Sequence, residues 1–518
     1  MTFKLSAQQQ AVLHWAVEES GSLELLARAG CGKTSTLLQL VDVIHANRLG
    51  DVAIMAYNKS IADEIKGKLD VKGIDWKIAQ AGTVHSFGFS AWRKSAPHVR
   101  VDSNKVRDLI EAQKYTEDSP PYRHMGSTIA KLVSLAKQQA FGHLTPIENM
   151  DAWYKVWDHF DLENDLIGDY TAEQIINCAK RIYKMSLDAC MDVVDFDDMI
   201  LAPLYFKARF WPKKWVMLDE AQDTNPARRA LALAMLAPKT GRFVSVGDDF
   251  QAIYGFTGAD SNSMQQLKTA TRAKTLPLTV TFRCPKAVVA EAKKIVPDII
   301  AHESAPEGKV SQIQYDEMLT NKLTARDVIL CRNTAPLIQT AYSLLSRGTA
   351  CKVEGREIGE GLIKLARRWK VGTLDKLLDK LEEYQARQTA KLMSQDKENK
   401  IDALEDQVNC LRIVINRCTV KKKYKIDDLV AEIDGMFGNT PEGQSPKVLT
   451  LSTIHRSKGR EWPRVFFMGV GELLPSPYAK KDWQLQQETN LEYVGITRAQ
   501  EELVYVPAPP KNPKMEGK

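Results

Sequence analysis

Ala27-Arg28-Ala29-Gly30-Cys31-Gly32-Lys33-Thr34 decides the fold. The stretch has the Gly/Ala-x4-Gly-Lys-Thr spacing of a phosphate-binding loop. Gly30 and Gly32 let the backbone turn tightly, so that successive N–H groups point at phosphate oxygens. Lys33 can reach the β- and γ-phosphates of a nucleoside triphosphate, and the Thr34 hydroxyl can hold Mg²⁺. Leu23-Glu24-Leu25-Leu26 reads as the strand before the loop. Thr36-Leu37-Leu38-Gln39-Leu40-Val41 reads as the helix after it, whose N-terminal dipole favours phosphate. Candidate nucleotide contacts are Ala29, Gly30, Cys31, Gly32, Lys33, Thr34 and Ser35. A fortuitous Gly-rich turn is the alternative, and the strand–loop–helix context argues against it.

Outward from the loop, Val52-Ala53-Ile54-Met55-Ala56 is a buried-strand candidate and Asn58 to Leu69 a helix candidate, the βαβ rhythm of a parallel sheet. The pattern turns helical and polar over 96–190. Strand-like runs return at Trp215 to Leu218 and Arg242 to Val246. The α/β rhythm restarts near 276, with Val328 to Cys331 as a strand, and is interrupted by a charged helical block over 356–445. It resumes at Val448 to Leu451 and Val465 to Met468. The expectation is an α/β chain of two cores, 1–95 with 191–275 and 276–355 with 446–506. Each carries a helical insertion, 96–190 and 356–445, and a Pro/Lys-rich disordered tail follows at 507–518. Leu374, Leu377, Leu378 and Leu381, and Ile401, Leu404, Val408 and Leu411, have helical spacing and read as packing stripes.

The composition is that of an ordinary globular protein: 518 residues, 44% hydrophobic, 26% charged, net charge +6. That charge permits a nucleic-acid partner without demanding one. Eight cysteines without a C-x-x-C pair argue against a structural zinc or iron–sulfur site and for a reduced, cytosolic setting. No apolar signal core follows Met1, and no run is long enough to span a bilayer, so no membrane role is expected.

A phosphate loop needs a carboxylate partner. Asp219-Glu220-Ala221-Gln222-Asp223 supplies it at the end of the strand Val216-Met217-Leu218. Asp219 would hold Mg²⁺ and Glu220 would orient and deprotonate the attacking water. An acidic first helical turn is the alternative, but it leaves two adjacent acids at a strand tip unexplained. Beyond the next strand, Gln251 can sense the γ-phosphate, while Tyr254 and Phe256 are either core aromatics or stacking platforms for bases.

The order of these motifs resembles the UvrD/Rep/PcrA group of superfamily 1 DNA helicases, from about residue 5 to 506. Gln9 matches the adenine-reading segment. Ala27 to Thr34 matches motif I, Tyr57 to Ala62 motif Ia, Gly82 to Phe87 motif Ib, and Asp219 to Asn225 motif II, preceded by the acidic-aromatic stretch Asp195 to Met199. Gln251 to Phe256 matches motif III, Leu278 to Arg283 motif IV, Leu451 to Trp462 motif V and Glu488 to Arg498 motif VI. The resemblance implies two RecA-like P-loop NTPase domains using ATP and Mg²⁺. It implies that Phe282 stacks on adenine, Glu461 binds ribose, and Arg283 and Arg498 reach the γ-phosphate, Arg498 as an arginine finger. Asn58, His85, Tyr254, Phe256, Arg332 and His455 become candidates for lining single-stranded DNA.

The chain departs from the pattern. Phe256-Thr257-Gly258-Ala259 stands for Trp-Arg-Gly-Ala, Thr281 for Asn, and Tyr57-Asn58 for Phe-Thr-Asn. The second insertion is roughly half the size usual for the group, nearer to the F-box DNA helicase branch and compact phage-type relatives, and no F-box or nuclease segment is expected. Basic runs at Arg367-Arg368-Trp369-Lys370 and Lys421 to Lys425 are duplex contacts or solvated helix faces.

The resemblance implies an ATP-dependent 3′→5′ helicase and single-strand translocase in repair, recombination or replication. It would be a monomer in a bacterial or phage-infected cytoplasm, working at single-strand/duplex junctions beside single-strand-binding, recombination or replication proteins. The rivals are an ATP-gated clamp or protein-displacing motor with weak unwinding, and a motor subunit of a nuclease or defence complex.

Overall fold

A computed structural model describes residues 5–116, 119–166, 168–255, 262–393, 401–438 and 448–510. By its contacts the chain falls into two units. One runs to Ala27 and resumes over Gly32–Leu278; the other takes Arg28–Cys31 and everything from Thr279. Of the tail expected at 507–518, residues 511–518 lie outside the described residues.

The first unit runs α1 (Ala7–Glu18), β1 (Leu23–Ala27), α2 (Lys33–Ala46), β2 (Val52–Ala56), α3 (Lys59–Val71), β3 (Ala79–Thr83) and α4 (Val84–Ser95). It continues with β4 (Arg100–Val101), α5 (Lys105–Gln113), α6 (Ser119–Gln138), α7 (Met150–His159), α8 (Ala172–Asp188), β5 (Val193–Val194) and α9 (Asp198–Tyr205). It closes with β6 (Trp215–Leu218), α10 (Pro226–Ala234), β7 (Arg242–Gly247), α11 (Ser263–Thr271) and β8 (Lys274–Leu278). Six strands pair in parallel in the order β3-β2-β6-β7-β1-β8. β2 and β6 are buried along their whole length, as strands covered on both faces must be, which is why they read as unbroken apolar runs. Because β6, β7 and β1 are neighbours, their C-terminal ends gather the segments that begin at Asp219, Asp248 and Arg28.

Helices α5 to α8 share one core with the sheet: Ile129, Leu132, Trp153 and Tyr183 join Ala53, Met55, Val216 and Leu218. Ile175, Ile176, Ala179, Ile182 and Tyr183 recur at helical spacing on α8 and are fully buried. A buried ion network reinforces the junction. Lys105 pairs with Asp198 at 2.6 Å, and Lys137 with Asp195 at 2.6 Å and Asp198 at 2.7 Å. Burial alone would push the Asp198 carboxyl up, but Lys137 and Lys105 hold it below the usual range. Removing one member of such a cluster strands the others and costs about 3–5 kcal/mol.

The second unit runs β9 (Val280–Thr281), α12 (Lys286–Ala292), β10 (Ile300–Ala301), β11 (Lys309–Gln312), α13 (Tyr315–Thr320), β12 (Asp327–Cys331), α14 (Thr334–Ser346) and β13 (Cys351–Glu354). Helices α15 (Arg356–Ala366), α16 (Leu374–Met393), α17 (Ile401–Val420) and α18 (Ile426–Met436) follow. The unit ends with β14 (Phe437–Gly438), β15 (Leu449–Thr453), α19 (Ile454–Ser457), β16 (Trp462–Met468), α20 (Asp482–Ile496) and β17 (Ala499–Val506). Seven strands pair in parallel in the order β11-β17-β16-β12-β15-β13-β14. Leu374, Leu377 and Leu381 of α16 and Ile401, Val408 and Leu411 of α17 are buried, the packing role their spacing suggested, while Leu378 and Leu404 are half-buried. The α/β class with parallel sheets in both halves is therefore as the sequence reads. Among the described residues no helix is long and apolar enough to cross a membrane.

Candidate nucleotide and nucleic-acid sites

In the first unit Gln9, Lys33, Thr34, Asp219, Glu220 and Gln251 gather at the C-terminal edge of the sheet; Ala29, Gly30 and Cys31 belong by their contacts to the second unit. Gly30 and Gly32 take φ of +72° and +78°, the left-handed region where a Cβ is strained. Lys33, Thr34 and the exposed Ser35 form the first turn of α2, while Ala29 and Cys31 are buried. Gln9 is fixed by a capping box with Ser6 and donates from Nε2 to Thr36 Oγ1 at 3.1 Å. A Cβ on Gly32 would come within 3.2 Å of that amide. Gln9 thus lies against the start of α2, within reach of a group seated there.

Lys33 Nζ pairs with Glu220 Oε1 at 2.6 Å. Burial opposes the charge of Lys33, yet Glu220 and Asp219 raise its pKa above the usual lysine range. Burial and the neighbouring Glu220 charge push the Asp219 carboxyl up. Thr34 Oγ1 donates to Asp219 Oδ2 at 3.4 Å. One hydroxyl and one carboxylate are hard oxygen donors of the kind Mg²⁺ takes beside water and phosphate. Among the described residues no group of three His, Cys, Asp or Glu side chains could hold a metal ion.

Glu220 adopts φ +49°, uncommon for a non-glycine residue, which turns its carboxylate back toward the loop. Its second oxygen accepts from Gln222 Nε2 at 2.5 Å. Gln222 Oε1 accepts the Asp248 backbone N–H at 3.1 Å, and the Asp248 carboxylate accepts from Gln251 Nε2 at 2.6 Å. Lys33, Glu220, Gln222, Asp248 and Gln251 are thus joined in one hydrogen-bonded chain. Gly247 is needed beside it, because a Cβ there would lie 2.5 Å from Gln222 Oε1.

Three residues past Gln251, Tyr254 lies parallel to Tyr57, rings 6.0 Å apart and inclined by 8°. The Arg228 guanidinium sits 5.5 Å from the Tyr57 ring. Burial, then Arg228, pulls the His85 imidazole down to about 4, so it is neutral at pH 7; its ring meets Phe196 edge-on at 6.5 Å. Asn58 caps α3, accepting the Ile61 N–H at 2.9 Å, so its oxygen is committed to the helix. Phe256 and Thr257 lie outside the described residues.

In the second unit Phe282 packs on His302, ring centres 4.8 Å apart. Arg283 pairs with Glu461, whose other oxygen accepts from Gln500 Nε2 at 2.7 Å. Arg498 is 1% exposed. It donates to the Val494 and Arg460 carbonyls at 2.9 and 3.1 Å and to Thr497 Oγ1 at 3.3 Å. Burial, then Arg283, lowers its pKa to about 10. Arg332, at the end of β12, holds Glu488 through Nε and Nη2 at 3.0–3.1 Å. His455, on α19, is drawn down to about 3 by burial and then by Arg332 and Lys458.

Comparison with known proteins fits this arrangement. The UvrD/REP helicase N-terminal domain model matches residues 5–272, and the UvrD-like helicase C-terminal domain model matches 264–507. The chain belongs to the UvrD/Rep helicase family. Two relatives, each an "ATP-dependent DNA helicase PcrA", come from Staphylococcus epidermidis and Staphylococcus aureus. Both are 22% identical to it, over 613 and 611 residues, covering 94% of this chain and 81% of each relative.

In this UvrD/Rep-type chain several participants escaped the sequence reading. Gln222 and Asp248 were visible only as motif letters. Arg228 carried no signal at all, since nothing in α10 tells that its third residue faces Tyr57. Glu488 began a motif but gave no sign that it would clamp Arg332.

Proposed function

We propose that this UvrD/Rep family member is an ATP-dependent DNA helicase that moves 3′→5′ along single-stranded DNA, in repair, recombination or replication. The observation that carries the reading is the connected path from Lys33 through Glu220, Gln222, Asp248 and Gln251 to the neighbourhood of Tyr254. It ties a hydrolytic carboxylate to stacked aromatic rings within one unit.

Lys33 would exchange Glu220 for the β- and γ-phosphates, since an incoming polyanion competes for the same ammonium. Glu220 then accepts the proton of the attacking water as its oxygen bonds to the γ-phosphorus and the bond to the ADP oxygen breaks. Gln222 keeps the second Glu220 oxygen in place. Thr34 and Asp219 would hold Mg²⁺, which supplies charge neutralisation on the phosphates. Arg283 and Arg498 would serve the γ-phosphoryl charge, Phe282 and Gln9 the base, and Glu461 the ribose. Tyr57, Tyr254, His85, Phe256, Arg332 and His455 would line the strand. Residues 96–190 and 356–445 would be insertions in two RecA-like domains.

The test is ATP-driven unwinding of 3′-tailed, 5′-tailed and blunt duplexes by the purified chain. Unwinding of the 3′-tailed duplex alone is expected. Unwinding that needs a 5′ tail reverses the polarity, and none on any substrate despite DNA-stimulated hydrolysis leaves a protein-displacing motor.

A further inference from the structure

The chain has no Asp or Glu from Trp76 to Val101 or from Met199 to Leu218. The two stretches meet: α4 packs on α9, and Trp92 stacks on Phe206 with ring centres 5.2 Å apart. Arg93 and Lys94 close α4, and Phe206, Lys207, Arg209 and Trp211 follow α9. All six are exposed, Trp211 by 59% and Phe206 by 43%. The Lys94 ammonium sits over the Trp211 ring, and the Arg93 guanidinium lies 5.8 Å from Phe89. Among the described residues no carboxylate pairs with Arg93, Lys94, Lys207 or Arg209. Lys213, next along, is neutralised by Asp51 at 3.0 Å. Burial and the like charge of Arg209 lower the Lys94 pKa.

Helix-end cations are commonly explained by the helix dipole. That accounts for Arg93 and Lys94 but not for two exposed aromatic rings among unpaired cations. The face is also separate from the sites above. Trp211 precedes β6, whose far end carries Asp219 about 13 Å away at strand rise. Arg93 is eight residues along α4 from His85, about 12 Å.

We propose that this face is a second binding surface for single-stranded nucleic acid. Arg93, Lys94, Lys207 and Arg209 take the phosphates, and Phe206 and Trp211 offer rings to the bases. Cations interleaved with exposed rings match a chain of phosphates bearing flat bases. An acidic peptide matches the charge alone. The proposal rests on the reading that the protein works on DNA, and it is independent of polarity.

The test uses the full chain with Arg93→Ala, Lys94→Ala, Lys207→Ala and Arg209→Ala combined, with Trp211→Ala alone, and with Tyr254→Ala as comparator. Labelled oligo-dT binding is followed by anisotropy across a salt titration without nucleotide. The combined variant is expected to flatten the log–log salt slope by about 2–3, given roughly 0.7 per phosphate contact on a single strand. Trp211→Ala is expected to weaken binding about fivefold or more with the slope retained. Both should keep basal ATP hydrolysis and the wild-type melting temperature. Wild-type slope and affinity in both variants, while Tyr254→Ala weakens binding, overturn the second surface and leave the helicase reading standing. Binding of a polyglutamate peptide that these changes abolish, with DNA affinity intact, makes the face a protein-docking surface and also overturns the proposal. A wild-type chain whose hydrolysis ignores DNA counts against the helicase reading, and the anisotropy slopes still decide the surface.

Discussion

Gln222 holds the Glu220 carboxylate at 2.5 Å while its own oxygen is held by the Asp248 backbone. The amide can therefore point only one way, and Glu220 inherits that orientation. Gln222→Ala is expected to lower kcat for ATP hydrolysis about ten- to hundredfold, the loss of one aligned hydrogen bond to a reacting group, with little change in KM. Gly247→Ala should act in the same direction, because its Cβ would displace Gln222 Oε1. Steady-state kinetics with saturating single-stranded DNA decide it; unchanged kcat in both variants would remove Gln222 from the machinery.

Lys33 and Glu220 are paired, but their loss should look different. Lys33→Ala is expected to abolish hydrolysis and weaken nucleotide binding, since it deletes the phosphate cation. Glu220→Gln should still bind nucleotide, measured with a fluorescent analogue, but turn over at least a hundredfold more slowly. Full hydrolysis in either variant would sink the site.

Tyr57 and Tyr254 form one stacked pair. Tyr254→Ala should weaken single-strand binding by about 1–3 kcal/mol, the usual worth of one stacked base. The Tyr57→Ala/Tyr254→Ala double variant should fall short of the sum of the single changes, because both alter one contact. Strict additivity in an anisotropy titration would show that the two rings act on separate bases.

His85 and His455 sit below the ordinary histidine pKa, at about 4 and about 3. The unfolded chain takes up each proton first as pH falls. Stability is therefore full above about pH 6.5 and declines toward pH 5, by about 2 kcal/mol per histidine. Urea melts at pH 7.5 and 5.0 should show His85→Gln losing less than the wild type over that interval. Equal losses would contradict the neutral state that burial and, after it, Arg228 impose on His85.

What could be read in the sequence was whatever lies contiguous at a strand tip. Lys33, Asp219, Glu220 and Gln251 follow β1, β6 and β7, and their chemistry is spelled by adjacent letters. The Gln222–Asp248 contact joins positions 26 residues apart and exists only because β6 and β7 are neighbours in the sheet. The sequence assigned Asp195 and Asp198 to a family stretch but not to Lys105 and Lys137, because charged residues on helical segments ordinarily read as solvated. Asn58, a DNA-contact candidate by resemblance, also caps α3 with its oxygen, a role that its place just before the helix signals.

The left-handed backbone at Glu220 also restricts what the position can become over evolutionary time. Glycine and asparagine suit φ +49° but carry no carboxylate, valine and isoleucine are excluded by their branched Cβ, and aspartate keeps the charge with a shorter reach. Neutral drift therefore has almost nowhere to go at this residue: substitutions the turn accepts readily remove the base, and the one that preserves the acid withdraws it from Lys33 and Gln222.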